Sequence, residues 1–142
     1  MKTIKHNLDT YQKERIIELI SSYLKSEHEE IVVAYLFGSF IAEESFSDID
    51  IGIIADKDLD RPLDFEFYLE NKIEMLAGYR TDVRLLNRAP LSFCQNVIRH
   101  GRVIIDRDPN IRADFEGNIL KQYFDFAPFR RQYLNEVINA PV

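Results

Sequence analysis

Between about residues 9 and 26, Ile16, Ile17, Ile20, Tyr23 and Leu24 recur with the period of one helix face, and Asp9 or Thr10 stands where a cap is needed. The spacing predicts an amphipathic first helix. After the charged turn SEHEE, the run IVVAYLF is apolar and largely β-branched without interruption, as a strand buried on both faces requires, and it stops at Gly38. A second strand is predicted over residues 48–55, DIDIGIIA. Beyond the turn-rich DKDLDRP, Phe67, Leu69, Ile73, Leu76 and Tyr79 predict a helix that ends near Gly78. TDVRLL sets Thr81, Val83 and Leu85 against Asp82, Arg84 and Leu86, the alternation of a third strand. Pro90 then opens a helix, LSFCQNVIRH, that Gly101 ends, and RVIID is a fourth strand. From Pro109 onward Phe115, Ile119, Tyr123, Phe126, Phe129, Tyr133 and Val137 follow at steps of three and four, predicting a long helix that Pro128 kinks or divides. Helices alternate with strands throughout, so the expected fold class is α/β or α+β, a small mixed sheet flanked by helices in a single domain spanning residues 1–142.

Composition narrows the functional classes. A net charge of −6 opposes general attraction to the phosphate backbone of DNA or RNA, so no direct nucleic-acid partner is expected. Cys94 is the single cysteine, which excludes an intramolecular disulfide and a cysteine-based zinc cluster and makes it a buried apolar filler. His6, His28 and His100 lack metal-ligand spacing and are expected at the surface or in caps. No uninterrupted apolar segment has signal or membrane length, so a cytoplasmic protein without lipid attachment is expected. P-loop and dinucleotide-binding glycine motifs do not occur, and Asp56, Asp58 and Asp60 fail as a calcium loop because Arg61 and Phe67 stand where Gly and Glu are required.

The chemistry lies in YLFGSFIAEESFSDIDIGI. Side chains alternate across a strand, so Asp48 and Asp50 share one face while Ile49, Ile51 and Ile53 share the other. Two carboxylates held that close repel unless a cation lies between them, and Asp-x-Asp on a strand suits magnesium, which takes oxygen ligands. Gly38 lets the backbone turn close to a ligand, and the amides of Ser39 and Phe40, with the Ser39 hydroxyl, are placed to hold phosphate. Phosphoryl chemistry with two metals uses a further carboxylate, and Asp82 is the candidate if the third strand neighbours the second. Arg84 would share its face, balancing charge or touching a triphosphate. Bland readings stand beside these: the acids as a solvated strand entrance, the Gly-Ser as a simple turn, Asp82 as a surface ion pair with Arg80 or Arg84.

LFGSF…SDIDIGI, followed by TDVRLLNRAP and then by YFDFAPFRRQYL, resembles the minimal nucleotidyltransferases (MNT) of the DNA polymerase beta superfamily, encoded beside HEPN-domain partners. The resemblance covers most of the chain. It implies a polymerase beta-like fold, a magnesium-ATP site, and transfer of a nucleoside monophosphate with release of pyrophosphate. For members that act as antitoxins it further implies AMPylation of a tyrosine on the HEPN toxin. By motif position Gly38 and Ser39 would hold phosphate, while Asp48, Asp50 and Asp82 would bind metal and form the catalytic triad. The sequence departs from the family in the link FIAEESFS, eight residues that are shorter and more acidic than usual, with Glu43 and Glu44 expected near the phosphates. That departure keeps a second reading open: an antitoxin of weakened catalysis that neutralises an HEPN RNase by direct binding. Transfer to a small molecule such as an aminoglycoside ranks third, since relatives of that kind carry an added substrate domain.

Overall fold

Asp9 caps the first helix, α1 (Thr10–Glu27), through a reciprocal pair: its carboxylate accepts the Gln12 amide at 2.7 Å, and the Gln12 side chain accepts the Asp9 amide at 3.0 Å. The computed structural model describes residues 4–139. Preceding α1 is β1 (His6–Asn7). Next come β2 (Ile31–Phe37), the short α2 (Ser39–Ala42), β3 (Ser45–Phe46) and β4 (Ile49–Ala55). The chain continues with α3 (Pro62–Ala77), β5 (Thr81–Leu85), a single 3-10 turn (Leu86–Arg88), α4 (Leu91–His100), β6 (Arg102–Asp106) and α5 (Pro109–Asn139). Gly78 ends α3 in the left-handed conformation at φ 85°, as its position in the sequence suggested.

The main sheet has the order β5-β4-β2-β6. β2 runs antiparallel to both its neighbours, while β4 and β5 are parallel, so the sheet is mixed as expected. The parallel pair is possible because α3 carries the chain back across one face. β2 is buried along its whole length, which explains its unbroken apolar run. One face packs Ile20 and Leu24 of α1 and Leu69 and Ile73 of α3 onto Ile49, Ile51, Ile53, Val83 and Leu85. The other packs Cys94 and Val97 of α4 onto Tyr35, Phe37 and Ile54, with Phe115 and Ile119 of α5 partly covered beside them. Each fully buried Ile or Leu contributes roughly 1.5–3 kcal/mol. Tyr35 uses its hydroxyl as well, donating to Glu116 at 2.7 Å and tying α5 to the central strand.

Several expectations need correction. The strand expected over 48–55 begins at Ile49, so Asp48 precedes it. Of the apolar positions that predicted α3, Phe67 and Leu76 are exposed, and Leu69 and Ile73 alone on that helix are fully buried. The helical assignment of α5 runs through Pro128, which therefore does not divide it. The side chains of Phe126, Phe129, Tyr133 and Val137, which completed the aromatic stripe, lie outside the described residues. His28 does take a capping place, the C-cap of α1, where it is buried and bonded to Glu30 at 3.0 Å and to Tyr23 at 2.9 Å. The small β1-β3 ladder was not foreseen; it seats His6 on Phe46 and Tyr79. Among the described residues no helix is long and apolar enough to cross a membrane.

Candidate active site

β2 ends at Phe37, whose partner across the sheet is Asp50, so the turn that follows passes directly beside that carboxylate. Gly38 makes the turn at φ +78°. A side chain there would strain the backbone and would also run into Asp50: an added Cβ lies 3.2 Å from its Cγ and closer still to Oδ2. α2 starts immediately, and the first amides of a helix lack partners within it, which leaves those of Ser39 and Phe40 for a ligand. Lys13 of α1 holds the far end of this short helix. Its ammonium donates to the carbonyls of Phe40 at 2.9 Å and Glu43 at 2.7 Å, and it lies 5.4 and 5.6 Å from the ring centres of Phe40 and Phe46. Glu43 and Glu44 are exposed at that end.

The parallel register sets Asp50 opposite Asp82. Asp48, two residues before Asp50, completes a set of three carboxylates whose charges act on one another: Asp50 is pushed up to about 6, first by burial, then by Asp82 and by Asp48, while Arg84 opposes the rise. The outer two acids lean on guanidinium groups, Asp48 with Arg80 at 3.9 Å and Asp82 with Arg84 at 3.7 Å. Arg84 also lies 5.8 Å from the ring centre of Phe93 on α4. The structure thus gathers every residue singled out in the sequence, Gly38, Ser39, Asp48, Asp50 and Asp82, at one corner of the sheet.

Among the described residues no three His, Cys, Asp or Glu side chains are drawn together tightly enough to enclose an ion. Magnesium does not require that. It keeps several waters and is commonly held by one or two carboxylates together with substrate phosphates. An all-oxygen donor set, a half-buried Asp50 repelled by two like charges, and the Gly38 turn packed against it fit such an ion.

Sequence reasoning missed two features. Lys13 gave no signal, since a lone lysine on an amphipathic helix reads as solvated. The second is a ladder of glutamates on α3 that serves the edge strand β5: Glu66 accepts the Leu85 amide at 2.8 Å, Glu70 that of Val83 at 3.3 Å, and Glu74 that of Thr81 at 3.0 Å. Their spacing of four is visible in the sequence, but a solvated helix face has the same spacing. Two cavities flank β5. One of about 320 Å³ is lined by Asp48, Phe67, Glu70, Glu74, Arg80 and Asp82; the other, about 550 Å³, includes Arg61, Arg84 and Arg88.

Residues 18–110 match the profile of the polymerase beta nucleotidyltransferase family. No curated protein sequence matches the chain. Among solved structures, a chain of the toxin-antitoxin complex MntA-HepT superposes with a TM-score of 0.66 at 22% identity, covering 92% of this chain and 99% of that one. A chain from the complex of tri-AMPylated Shewanella oneidensis HEPN toxin with MNT antitoxin gives 0.67 at 23%, with coverage of 92% and 99%. A toxin-antitoxin structure with AMP-PNP gives 0.68 at 23%, with coverage of 89% and 98%. At these identities the likeness is one of fold.

Proposed function

The chain belongs to the polymerase beta nucleotidyltransferase family, and from that premise we propose that it transfers AMP from magnesium-ATP to a tyrosine hydroxyl of a cognate HEPN toxin, acting as its antitoxin. The observation that carries this reading is the pairing of Asp50 with Asp82 next to the Gly38-Ser39 turn. The fold neighbours support the choice of partner and group, being complexes with HEPN toxins, one of them AMPylated, and one with an ATP analogue.

In this reading the amides of Ser39 and Phe40 and the Ser39 hydroxyl hold the triphosphate against the end of β2. Asp48, Asp50 and Asp82 would hold magnesium together with water and the substrate phosphates rather than as a closed cage, and when bound it would neutralise charge on the phosphates and the leaving group. Asp82, on the edge strand, orients the incoming hydroxyl and accepts its proton. The hydroxyl oxygen forms the new bond to the α-phosphorus, the bond from that phosphorus to the bridging oxygen breaks, and pyrophosphate departs with the electron pair. Lys13 keeps the turn in place, and Arg84 offsets negative charge between Asp50 and Asp82.

The test is labelled ATP, magnesium and the protein encoded by the adjacent gene, with mass analysis for a gain of AMP. Wild type should modify the partner, whereas Asp48→Asn and Asp50→Asn should lose transfer while keeping the circular dichroism of the fold. Transfer retained in either variant rejects the assignment. The second reading, steric neutralisation with weakened catalysis, is favoured by the exposed Glu43 and Glu44 at the end of the short link. It predicts full neutralisation of the toxin with no nucleotide present.

A further inference from the structure

α3 presents a row of apolar side chains that its own fold does not cover. Leu69 and Ile73 face the core, but Leu63, Phe67 and Met75 are 67%, 63% and 79% exposed, with Tyr68 and Leu76 beside them at 50% and 45%. Leu63, Phe67 and Met75 lie at multiples of four residues, with Asn71 at the remaining step, and follow the exposed side of the helix over about 18 Å. Scattered exposed apolar residues are ordinary; five on one helix, half of the large ones exposed among the described residues, signal a contact surface.

This surface borders the active site. Phe67 lines the same cavity as Asp48 and Asp82, and Leu63 lines the groove that contains Arg84. That cavity sets Asp48, Glu70, Glu74 and Asp82 against the single guanidinium of Arg80. Glu70 and Glu74 each use one oxygen on a β5 amide and retain a second acceptor oxygen. A lysine or arginine from outside is the complementary occupant. RNA phosphates would be repelled by these carboxylates.

The free edge of β5 offers no alternative way to dock. Its outward amides at Thr81, Val83 and Leu85 are already taken by the glutamates of α3. The match is geometric: one helical step of four residues rises about 6 Å, close to the roughly 6.6 Å of two strand residues. Addition of a partner strand is therefore blocked, and a partner must engage side chains of α3 instead.

We infer that the exposed face of α3 is the docking surface for a protein acceptor, which lays an apolar ridge on Leu63, Phe67 and Met75 and inserts a basic side chain into the acidic cavity beside β5. This deepens the reading above and rests on it, because it takes the acceptor to be a protein. The acceptor hydroxyl then arrives next to Asp82, on the side of the sheet edge away from the Gly38 turn.

The experiment compares Phe67→Glu, Met75→Glu and the double variant with wild type for affinity to the purified product of the adjacent gene, the proposed HEPN protein. AMP transfer, binding of a non-hydrolysable ATP analogue and thermal melting are followed in parallel. Partner affinity and transfer should fall about tenfold or more in the double variant, with analogue binding and melting unchanged. If the glutamates lower the melting temperature, Phe67→Ser and Met75→Ser replace them and should give the same loss. Unchanged partner affinity in folded variants overturns the surface and leaves the enzymatic reading intact. Failure of wild type to bind or modify the HEPN protein overturns both. Wild-type self-association in ultracentrifugation that the variants abolish also overturns the inference, because a second copy then covers this face.

Discussion

Asp50 and Asp82 occupy paired positions on two parallel strands, and burial together with the charges of Asp82 and Asp48 holds the Asp50 carboxyl at about 6. Its ordinary value is 3.8. A folded-state value above the unfolded one means that the folded chain retains a proton that the unfolded chain has released. The contribution of Asp50 to stability is therefore full below about pH 4 and is lost as pH rises through about 6. In the presence of a chelator, Asp50→Asn should be more stable than wild type at pH 7 to 8, by about 1–3 kcal/mol. The difference should shrink toward pH 4. Magnesium should raise the melting temperature of wild type and leave that of the variant unmoved, and parallel melts across this pH range check both statements.

Gly38→Ala should disrupt both stability and binding. The substitution places a Cβ at a backbone φ of +78° and against the Asp50 carboxylate. A loss of roughly 1–3 kcal/mol in denaturant unfolding is expected. Calorimetry should show that an ATP analogue no longer binds, even at temperatures where the variant is folded.

Lys13→Met should separate positioning from folding. The ammonium makes two hydrogen bonds to carbonyls of the phosphate turn's short helix, and methionine keeps the apolar stem while removing both. Stability should change by only about 1 kcal/mol. The apparent KM for ATP should rise by about threefold to tenfold, with a smaller effect on kcat. Lys13→Arg should recover most of the difference, and an unchanged KM in the methionine variant would show that the turn holds itself.

Removing Glu66 and Glu74 together should open an edge. Glu66→Ala with Glu74→Ala leaves the amides of Leu85 and Thr81 without their carboxylate partners. A cost of about 1–3 kcal/mol per amide is expected if water cannot replace them. The uncovered strand should also promote association between chains, which light scattering after gentle heating will detect.

Much of the architecture was legible because local rules act within one element. Alternation set Thr81, Val83 and Leu85 against Asp82 and Arg84, an unbroken apolar run marked β2 as central, and Asp9 and Gly78 bounded their helices as capping chemistry demands. α3 shows where such rules fail. Its apolar positions cover more than one face, and the sequence contains no information on which of them meets the sheet, so nothing local separates the exposed Phe67 and Leu76 from the buried Leu69 and Ile73.

The amino-acid order alone determined the Gly-Ser turn, the strand that carries Asp50 and the alternation that gives Asp82 a face, because each depends on neighbours a few residues apart. The tertiary fold decided that β5 lies parallel to β4 in the register that pairs Asp82 with Asp50, that Lys13 reaches the turn from 27 residues away, and that three glutamates close the β5 edge. Those relations join elements distant in the chain. They arise from the burial of two apolar cores on opposite faces of one sheet, a collective balance that no local spacing encodes.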